Sequence, residues 1–285
     1  MNHTFHKLTN TTAQPLPWVL PQPAWILAEP TMESLVYNFA PVSLQQMDGV
    51  ALLNRVDTKF VLTIAQLLTA LAEIQPAYRI LSIDGQRLNH YRTLYFDTAD
   101  FALYRAHVNE RAERYKVRSR EYVDSHLAFL EVKHRTRKDR TIKDRIPTAG
   151  QAVQLTPELG NWLRQVSPLE GSALEPKLWN TFTRLTLVNK SACERLTLDV
   201  DLAFHFGGKT VSLEGLAVAE VKTDSTHSVS PFLAQMRAQK IRSNGFSKYS
   251  IGVSMLYEQV KKNALKPKRL WLEKTMKGTW HEHFC

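Results

Sequence analysis

Charged residues alternate with apolar or small residues in five separate stretches of this chain, and this pattern constrains the fold more than any other feature. Successive side chains of a β-strand point to opposite faces of a sheet. Each stretch therefore places its charges on one face, and a sheet built from these strands has one strongly charged face. Such a face either looks into water or lines a closed sheet whose interior binds something ionic. The stretches are 55–59, 116–120, 131–135, 195–201 and 220–224.

The composition is that of a globular and strongly basic chain. Its 285 residues are 44% hydrophobic, which is enough for one large domain or two small ones with a buried core. The formal net charge of +10 indicates a polyanionic partner. Nucleic acid, an anionic membrane surface and a phosphorylated small molecule all satisfy that condition, and the charge alone does not choose among them.

Several features favour a cytoplasmic protein. The two cysteines, Cys193 and Cys285, do not support a disulfide framework or a cysteine metal site, so a reducing compartment fits best. No apolar run approaches the roughly 20 residues that span a bilayer. The first residues also lack the basic-then-apolar layout of a signal peptide. We therefore predict a cytoplasmic location and no transmembrane span.

Proline content and apolar periodicity divide the chain into three parts. Residues 1–38 hold five of the thirteen prolines and few periodic apolar positions, which predicts a poorly structured N-terminal extension. Residues 39–262 are predicted to form the folded domain. Residues 263–285 are predicted to be a basic C-terminal tail.

Within the folded domain, the pattern predicts about eight strands with helices at the start, middle and end. The strands follow one another in hairpin-like succession, which indicates an α+β fold rather than alternating βαβ units. Eight antiparallel strands are enough to close a barrel, and closure would place a charged face inside. The predicted strands are the segment around Lys59 and residues 91–96, 115–123, 128–135, 141–145, 180–188, 196–203 and 216–223.

A charged interior of this kind suits a phosphate-rich ligand. Arginine forks and lysine point charges are the side chains that pair with phosphate oxygens. Crowded cations repel one another, so interior carboxylates such as Asp57, Glu131, Asp199 and Glu220 must offset part of the charge. Phosphoryl transfer depends mainly on in-line positioning and charge stabilisation, so the chemistry demands no histidine base.

Two other motifs and one pair of carboxylates have structural interpretations. The sequence Gly207-Gly208-Lys209-Thr210 has the end of a P-loop without the earlier glycine that the spacing needs. In Tyr95-Phe96-Asp97-Thr98, we expect Asp97 or Thr98 to cap the following turn. Asp199 and Asp201 are two positions apart, so we expect them to share a face of their strand.

Seven short motifs follow one another in a fixed order. They are Arg55-x-Asp57-x-Lys59, Tyr95-Phe96-Asp97-Thr98, Lys116-Val-Arg118-Ser-Arg120, Phe129-Leu-Glu131-Val-Lys133, Arg195-Leu-Thr-Leu-Asp199, Ala219-Glu220-Val-Lys222 and Ser247-Lys248-Tyr249. This order, from about residue 40 to about residue 262, resembles the VTC domain, the polyphosphate polymerase domain of the triphosphate tunnel metalloenzyme superfamily. Each motif alone is weak, and the ordered set makes the resemblance specific.

The resemblance implies an eight-stranded antiparallel β-barrel tunnel with flanking helices, whose interior cations hold a linear polyphosphate. It implies catalytic roles for Lys59, Arg118, Arg120 and Lys133, and a metal ligand, Glu220, for Mn²⁺ or Mg²⁺. Further phosphate contacts are implied for Lys116, Lys143, Arg184, Arg195, Lys222 and Lys248.

The chain departs from the wider superfamily at two motifs. Hydrolases and cyclases of the superfamily typically open with Glu-x-Glu-x-Lys, where this chain has Arg55-x-Asp57-x-Lys59. They often close with Glu-x-Glu, where this chain has Glu220-x-Lys222. Each replacement removes a carboxylate and adds a cation, which weakens a multi-metal site and strengthens binding of a long polyanion. The departures therefore favour the polymerase-like branch.

We therefore expect a polyphosphate polymerase that transfers the γ-phosphoryl group of ATP onto a polyphosphate chain. One alternative is hydrolysis of a triphosphate or short polyphosphate, and another is a module that binds polyphosphate or a nucleotide without turnover. Nucleic-acid binding through the basic tail is a weaker alternative. The sequence leaves open the oligomeric state and a separate membrane-protein partner.

Overall fold

The computed structural model describes residues 31–48, 56–138, 140–224 and 230–282. Arg55 of the first motif, residues 1–30 of the predicted extension and residues 283–285 of the predicted tail lie outside these residues. No helix in the described part of the chain is long and apolar enough to cross a membrane.

One large sheet contains the strands of the described residues. They are β1 (Ala40–Val42), β2 (Val56–Thr63), β3 (Tyr78–Leu81), β4 (Asn89–Asp97), β5 (Arg114–Tyr122), β6 (Leu127–Arg135), β7 (Thr141–Thr148), β8 (Glu175–Asn189), β9 (Glu194–Phe206), β10 (Lys209–Ser212) and β11 (Leu216–Thr223). Eight of them follow the order β2-β11-β9-β8-β4-β5-β6-β7, and every neighbouring pair on this path is antiparallel. The short strands β1, β3 and β10 lie off this path: β1 pairs with β3, β3 with β8, and β10 with β9.

Helices precede, interrupt and follow the strands. They are α1 (Met32–Asn38), α2 (Leu44–Asp48), α3 (Ile64–Ile74), α4 (Ala102–Val108), α5 (Pro157–Val166), α6 (Pro231–Ala238), α7 (Lys248–Leu256) and α8 (Lys266–Glu282). Thr63 and Gln66 form a capping box at the start of α3. Ser230 caps α6, and Pro231 occupies the first helical position.

The α+β class predicted from the sequence is confirmed, and the eight predicted strands correspond to the eight strands of the antiparallel path. The structure differs from the prediction in the closure of the barrel. Among the described residues no hydrogen-bonded ladder joins β2 to β7, the two ends of the path. The exposed edge strand β7 carries Lys143 and Pro147, and lysine and proline are residues that discourage further pairing at a sheet edge.

The apolar outer face of the sheet is covered by helices. On β9, Leu196 and Leu198 are fully buried in one cluster with Leu71 of α3 and Phe232 of α6. A second cluster buries the outer faces of β4, β5 and β6 against α5, where Leu163 is fully buried. Each such side chain contributes roughly 1.5–3 kcal/mol of burial free energy, so the helices hold the sheet from outside.

Helix α7 packs against an apolar end of the inner face. Val61 lies two positions from Lys59 on β2, and Val218 lies two positions from Glu220 on β11, so each pair shares a face. Val61 and Val218 are buried in one cluster with Ile251 of α7. The inner face is therefore apolar where it meets α7 and charged farther along the same strands.

The prediction that Asp199 and Asp201 share a face is wrong, because β9 contains a bulge. The register between β8 and β9 shifts next to Asp201, which has a left-handed backbone (φ 54°). Asp199 is 3% exposed, whereas Asp201 is exposed. The two carboxylates therefore do not share a face, because the extra residue of the bulge turns Asp201 outward.

The fold begins earlier than the predicted boundary suggests. Residues 32–38, which the sequence places in the extension, form α1, and its Leu35 and Val36 are buried. The helix has two buried apolar positions in seven residues, which is too short a pattern for apolar periodicity to reveal. In the C-terminal part of the chain, the predicted tail contains α8, whose Leu272 is fully buried.

Candidate functional site: a cation-lined cavity

Strand β5 shows how the sequence builds the site. Lys116, Arg118 and Arg120 line a cavity on the inner side of the sheet. Val117 and Ser119, between them, are fully buried on the opposite face. The two-residue alternation thus separates a charged inner face from an apolar outer face.

The cavity has a volume of about 600 Å³. Side chains of β2 and β7, the two ends of the strand path, both line it, so the sheet wraps around this space. The basic residues that line it are Lys59, Lys116, Arg118, Arg120, Lys133, Lys143, Arg145, Arg184, Arg195, Lys222 and Lys248. The carboxylates that line it are Asp57, Glu131, Asp144, Asp199 and Glu220, so cations exceed carboxylates about twofold.

The structure brings all the sequence-predicted site residues to this one cavity. The four predicted catalytic residues, the six predicted phosphate contacts and the predicted metal ligand Glu220 all lie in its wall. Sequence reasoning missed Arg145, which also lines the cavity. Arg145 follows Lys143 by two positions on the same strand, so the alternation of strand side chains was the available signal for Arg145.

Asp199 is the centre of one charged network. Arg184 donates from Nε to Oδ1 of Asp199 at 2.5 Å and from Nη2 to Oδ2 at 2.8 Å. Lys248 also donates to Asp199. Although burial alone would raise it, the pKa of Asp199 is held well below its usual range by Arg184 and Lys248. Asp199 is thus a structural partner of two cavity cations.

Glu220 is the centre of a second network. Lys59, opposite it on β2, and Lys222, two positions along β11, both form ion pairs with its carboxylate. Burial opposes the charge of Glu220, but Lys222 and Lys59 hold its pKa well below the usual value. Burial lowers the pKa of Lys222 to about 8, despite the attraction of Glu220.

A third carboxylate neutralises one arginine of β5. Arg118 donates from Nε to Glu131 at 2.6 Å across the β5–β6 pair. The sequence predicts Glu131 to be one of the carboxylates that offset the interior cations. In the structure, Glu131 is the partner of Arg118.

Among the other cavity cations, Lys116, Arg120 and Lys133 have no carboxylate within ion-pair distance in the described part of the chain. Arg120 is 8% exposed, and its side chain donates to Thr93 Oγ1 at 3.5 Å. Burial and the surrounding cations lower the pKa of Lys116 well below its usual value and also lower that of Lys133. These three residues carry a repulsion that a bound polyanion would relieve.

The donor set fits a divalent metal ion only in part. Among the residues that the structure describes, no group of three or more histidine, cysteine, aspartate or glutamate side chains is placed to hold a metal. Glu220 offers a partly buried carboxylate at the cavity wall. A hard cation bound there would take its other oxygen ligands from phosphates and water. The single carboxylate thus fits a metal that arrives with a phosphate ligand.

The N-terminus of α7 also faces the cavity. Ser247 caps the helix by accepting from the backbone N–H of Ser250 at 3.2 Å. Lys116 Nζ donates to the hydroxyl of Ser247 at 3.0 Å. The Nζ atom of the next residue, Lys248, lies 4.4 Å from the ring centroid of Phe182. The helix start therefore belongs to the cavity wall.

The fold and this site define an α+β protein whose antiparallel sheet encloses a cavity lined by lysine and arginine. The model of the VTC domain family matches residues 54–257, which include the sequence-predicted site residues. The chain therefore belongs to the VTC domain family. Membership supports phosphoryl-transfer chemistry on triphosphates or polyphosphates.

Solved structures with a similar arrangement are distant in sequence. A proposed adenylate cyclase from Bacillus halodurans is 13% identical, with 72% of this chain and 98% of that chain covered and a TM-score of 0.47. A proposed adenylyl cyclase from Hippeastrum, described as having a dominant triphosphatase activity, is 18% identical, with the same coverage and a TM-score of 0.48. Comparison with curated proteins gives no match.

Proposed function

We propose that this protein is a polyphosphate polymerase that transfers the γ-phosphoryl group of ATP onto a polyphosphate chain inside the cation-lined cavity. The observation that carries the proposal is the excess of cations in the cavity wall: Lys116, Arg120 and Lys133 face the cavity with no carboxylate within ion-pair distance among the described residues. Polyphosphate supplies the repeating negative charge that such a wall requires. The chain's membership of the VTC domain family supports the same substrate class.

The cavity residues divide into two roles in this proposal. Lys59, Arg118, Arg120 and Lys133 stabilise the charge on the phosphoryl group in transfer. The remaining basic residues align the ATP phosphates and the acceptor chain, and they are Lys116, Lys143, Arg184, Arg195, Lys222 and Lys248. The attacking group is a phosphate oxygen that is already ionised at neutral pH, so positioning and charge stabilisation suffice without a side-chain base.

Glu220 would hold the metal ion, Mn²⁺ or Mg²⁺. When bound, such an ion neutralises phosphate charge and polarises the transferring group. Glu220 must exchange contacts with Lys59 and Lys222 to do so, and those lysines are then available to phosphate oxygens. This exchange couples metal binding to nucleotide binding.

The test is incubation of the purified protein with ATP and Mn²⁺, followed by separate measurement of polymer, ADP and orthophosphate. Polymer with a matching amount of ADP supports the proposal. ADP with orthophosphate and no polymer would instead show a hydrolase. Tight binding of ATP or polyphosphate with no ADP release would show a binding module. A reaction without metal, run in parallel, separates metal-dependent turnover from background.

A further inference from the structure

The motif Tyr95-Phe96-Asp97-Thr98 and the motif Ser247-Lys248-Tyr249 meet in the structure. Asp97, at the end of β4, is fully buried. Its carboxylate accepts a hydrogen bond from the hydroxyl of Tyr249, the residue that follows Lys248 in α7. A buried contact thus joins a residue outside the cavity lining to a helix whose first turn belongs to the cavity wall.

Asp97 is itself held rigidly. It accepts from the backbone N–H groups of Thr98 at 2.7 Å, of Leu103 at 2.8 Å and of Tyr104 at 2.8 Å. These donors belong to the turn after β4 and to the start of α4. A carboxylate that accepts several backbone hydrogen bonds has little freedom to move, so it offers a fixed anchor.

Tyr249 connects the fixed Asp97 carboxylate to the cavity wall. It is 1% exposed, and its ring packs 5.0 Å from that of Tyr95, measured between centroids. Burial and the neighbouring Asp97 raise the pKa of Tyr249 well above its usual value, so its hydroxyl remains a donor. Lys248, one residue earlier, contacts Asp199 in the cavity wall and lies over the ring of Phe182.

We propose that Asp97 and Tyr249 are positioning residues that fix the first turn of α7, so that Lys248 meets bound polyphosphate in one defined place. This inference rests on the proposed function, because it assigns the Asp97–Tyr249 contact to the same cavity. A cation held in place loses less freedom on binding than a mobile one and therefore binds more tightly.

Tyr104 offers a matched control. It is fully buried beside Tyr249, at 6.4 Å between ring centroids, but its hydroxyl donates to the backbone oxygen of Lys261. Tyr249→Phe and Tyr104→Phe therefore remove the same atom from the same cluster. Only the first change breaks the link to Asp97.

The experiment is calorimetric titration with inorganic tripolyphosphate, at a temperature where circular dichroism shows every variant folded. Loss of a hydrogen bond to a charged group predicts about tenfold weaker binding for Tyr249→Phe and less than about twofold for Tyr104→Phe. Asp97→Asn, which weakens the same contact from its other side, should behave like Tyr249→Phe. In a Lys248→Met background, Tyr249→Phe should change the affinity by less than about twofold, since the residue it positions is gone.

The outcomes separate the two claims. If Tyr249→Phe and Tyr104→Phe weaken binding equally, the positioning role is wrong while the proposed function stands. An equal effect of Tyr249→Phe with and without Lys248 would also overturn it, because a merely structural role acts independently of Lys248. If the wild type itself fails to bind tripolyphosphate, the proposed function is wrong and the inference is wrong with it.

Discussion

At the scale of single residues, two groups of cavity cations should respond differently to mutation. Arg184, Lys248, Lys59, Lys222 and Arg118 neutralise a carboxylate in the unliganded protein. Lys116, Arg120 and Lys133 have no such partner within ion-pair distance among the described residues. Under the proposed function, we expect the first group to serve stability and binding together, and the second to serve binding at a cost to stability.

Arg120→Ala should therefore remove most activity and leave the fold intact. Loss of a charge-assisted contact to the reacting phosphate costs on the order of 10²-fold or more in turnover. The melting temperature should stay the same or rise, because the change relieves repulsion and leaves no carboxylate unpaired. Arg120→Lys should also be impaired, since a point charge does not replace a fork. Steady-state ADP release and thermal melting check both expectations.

Arg184→Ala is the matched contrast. It leaves the buried Asp199 with Lys248 as its remaining ion-pair partner among the described residues, so it should destabilise the protein by about 3 kcal/mol. Denaturant titration of the two alanine variants measures the difference. Equal loss of stability in both would show that the division into two groups is wrong.

Glu220→Gln tests the proposed metal ligand. The amide keeps the shape of the side chain and removes its charge, so metal-dependent turnover should be abolished. Binding of ATP or polyphosphate should persist or tighten, since Lys59 and Lys222 lose their carboxylate partner. Calorimetric titration with Mn²⁺ in the presence of a nucleotide analogue provides the measurement. Equal Mn²⁺ affinity in wild type and variant would reassign Glu220 to charge balance.

At the scale of elements, strand positions could be predicted from the sequence, but strand order could be predicted only for consecutive hairpins. Charge alternation marks five strands of the antiparallel path, and the general strand pattern of the sequence predicted the other three. The short strands β1, β3 and β10 were missed because three or four residues carry too little alternation to detect. The pairs β2–β11 and β8–β4 join strands far apart in sequence, and no local pattern encodes them.

Strand order in turn decides which charges meet. Glu220 meets Lys59 because β11 pairs with β2, and Asp199 meets Arg184 because β9 pairs with β8. The sequence supplied the list of cavity cations but not these partners. The motif order therefore predicted which residues share the cavity, whereas the division into paired and unpaired cations required the structure.

Lysines on β11 and α7 predict a pH dependence. Burial is the main cause that lowers the pKa of Lys222 and of Lys248 to about 8. In the unfolded chain a lysine titrates near pH 10.4, so the folded protein holds fewer protons than the unfolded chain between about pH 8 and pH 10.4. Stability of the unliganded protein should rise with pH across this window.

Tripolyphosphate affinity should change in the opposite direction, because phosphate binds the protonated lysines. Affinity should fall as pH rises through about 8, with proton uptake on binding near that pH. Titrations in buffers of different ionisation enthalpy measure this uptake. The double variant Lys222→Met and Lys248→Met is the control, since the ligand's own titration remains in it. An identical pH profile in the wild type and the double variant would contradict the prediction.

At the scale of the whole molecule, the charged face of the sheet lines a cavity in the described part of the chain, instead of facing solvent. Helices bury the apolar outer face, and the charged inner face surrounds a cavity. Repulsion among the cavity cations opposes this arrangement, and outer-face burial supports it. A bound polyanion should therefore increase the stability of the folded protein, because it reduces this repulsion.

Tripolyphosphate should therefore raise the melting temperature strongly at low salt. A ligand that binds only the folded state at about 100 times its Kd adds about 2.7 kcal/mol of stability. Orthophosphate at the same concentration should add much less, because it spans fewer of the cavity cations.

Added sodium chloride should reduce the tripolyphosphate effect by screening the more exposed cations, Lys133, Lys143 and Arg145. Arg120→Ala should lose most of the shift, while its melting temperature without ligand matches or exceeds that of the wild type. If orthophosphate and tripolyphosphate stabilised the protein equally, the cavity would be a single-phosphate site, and the array of cations would need another explanation.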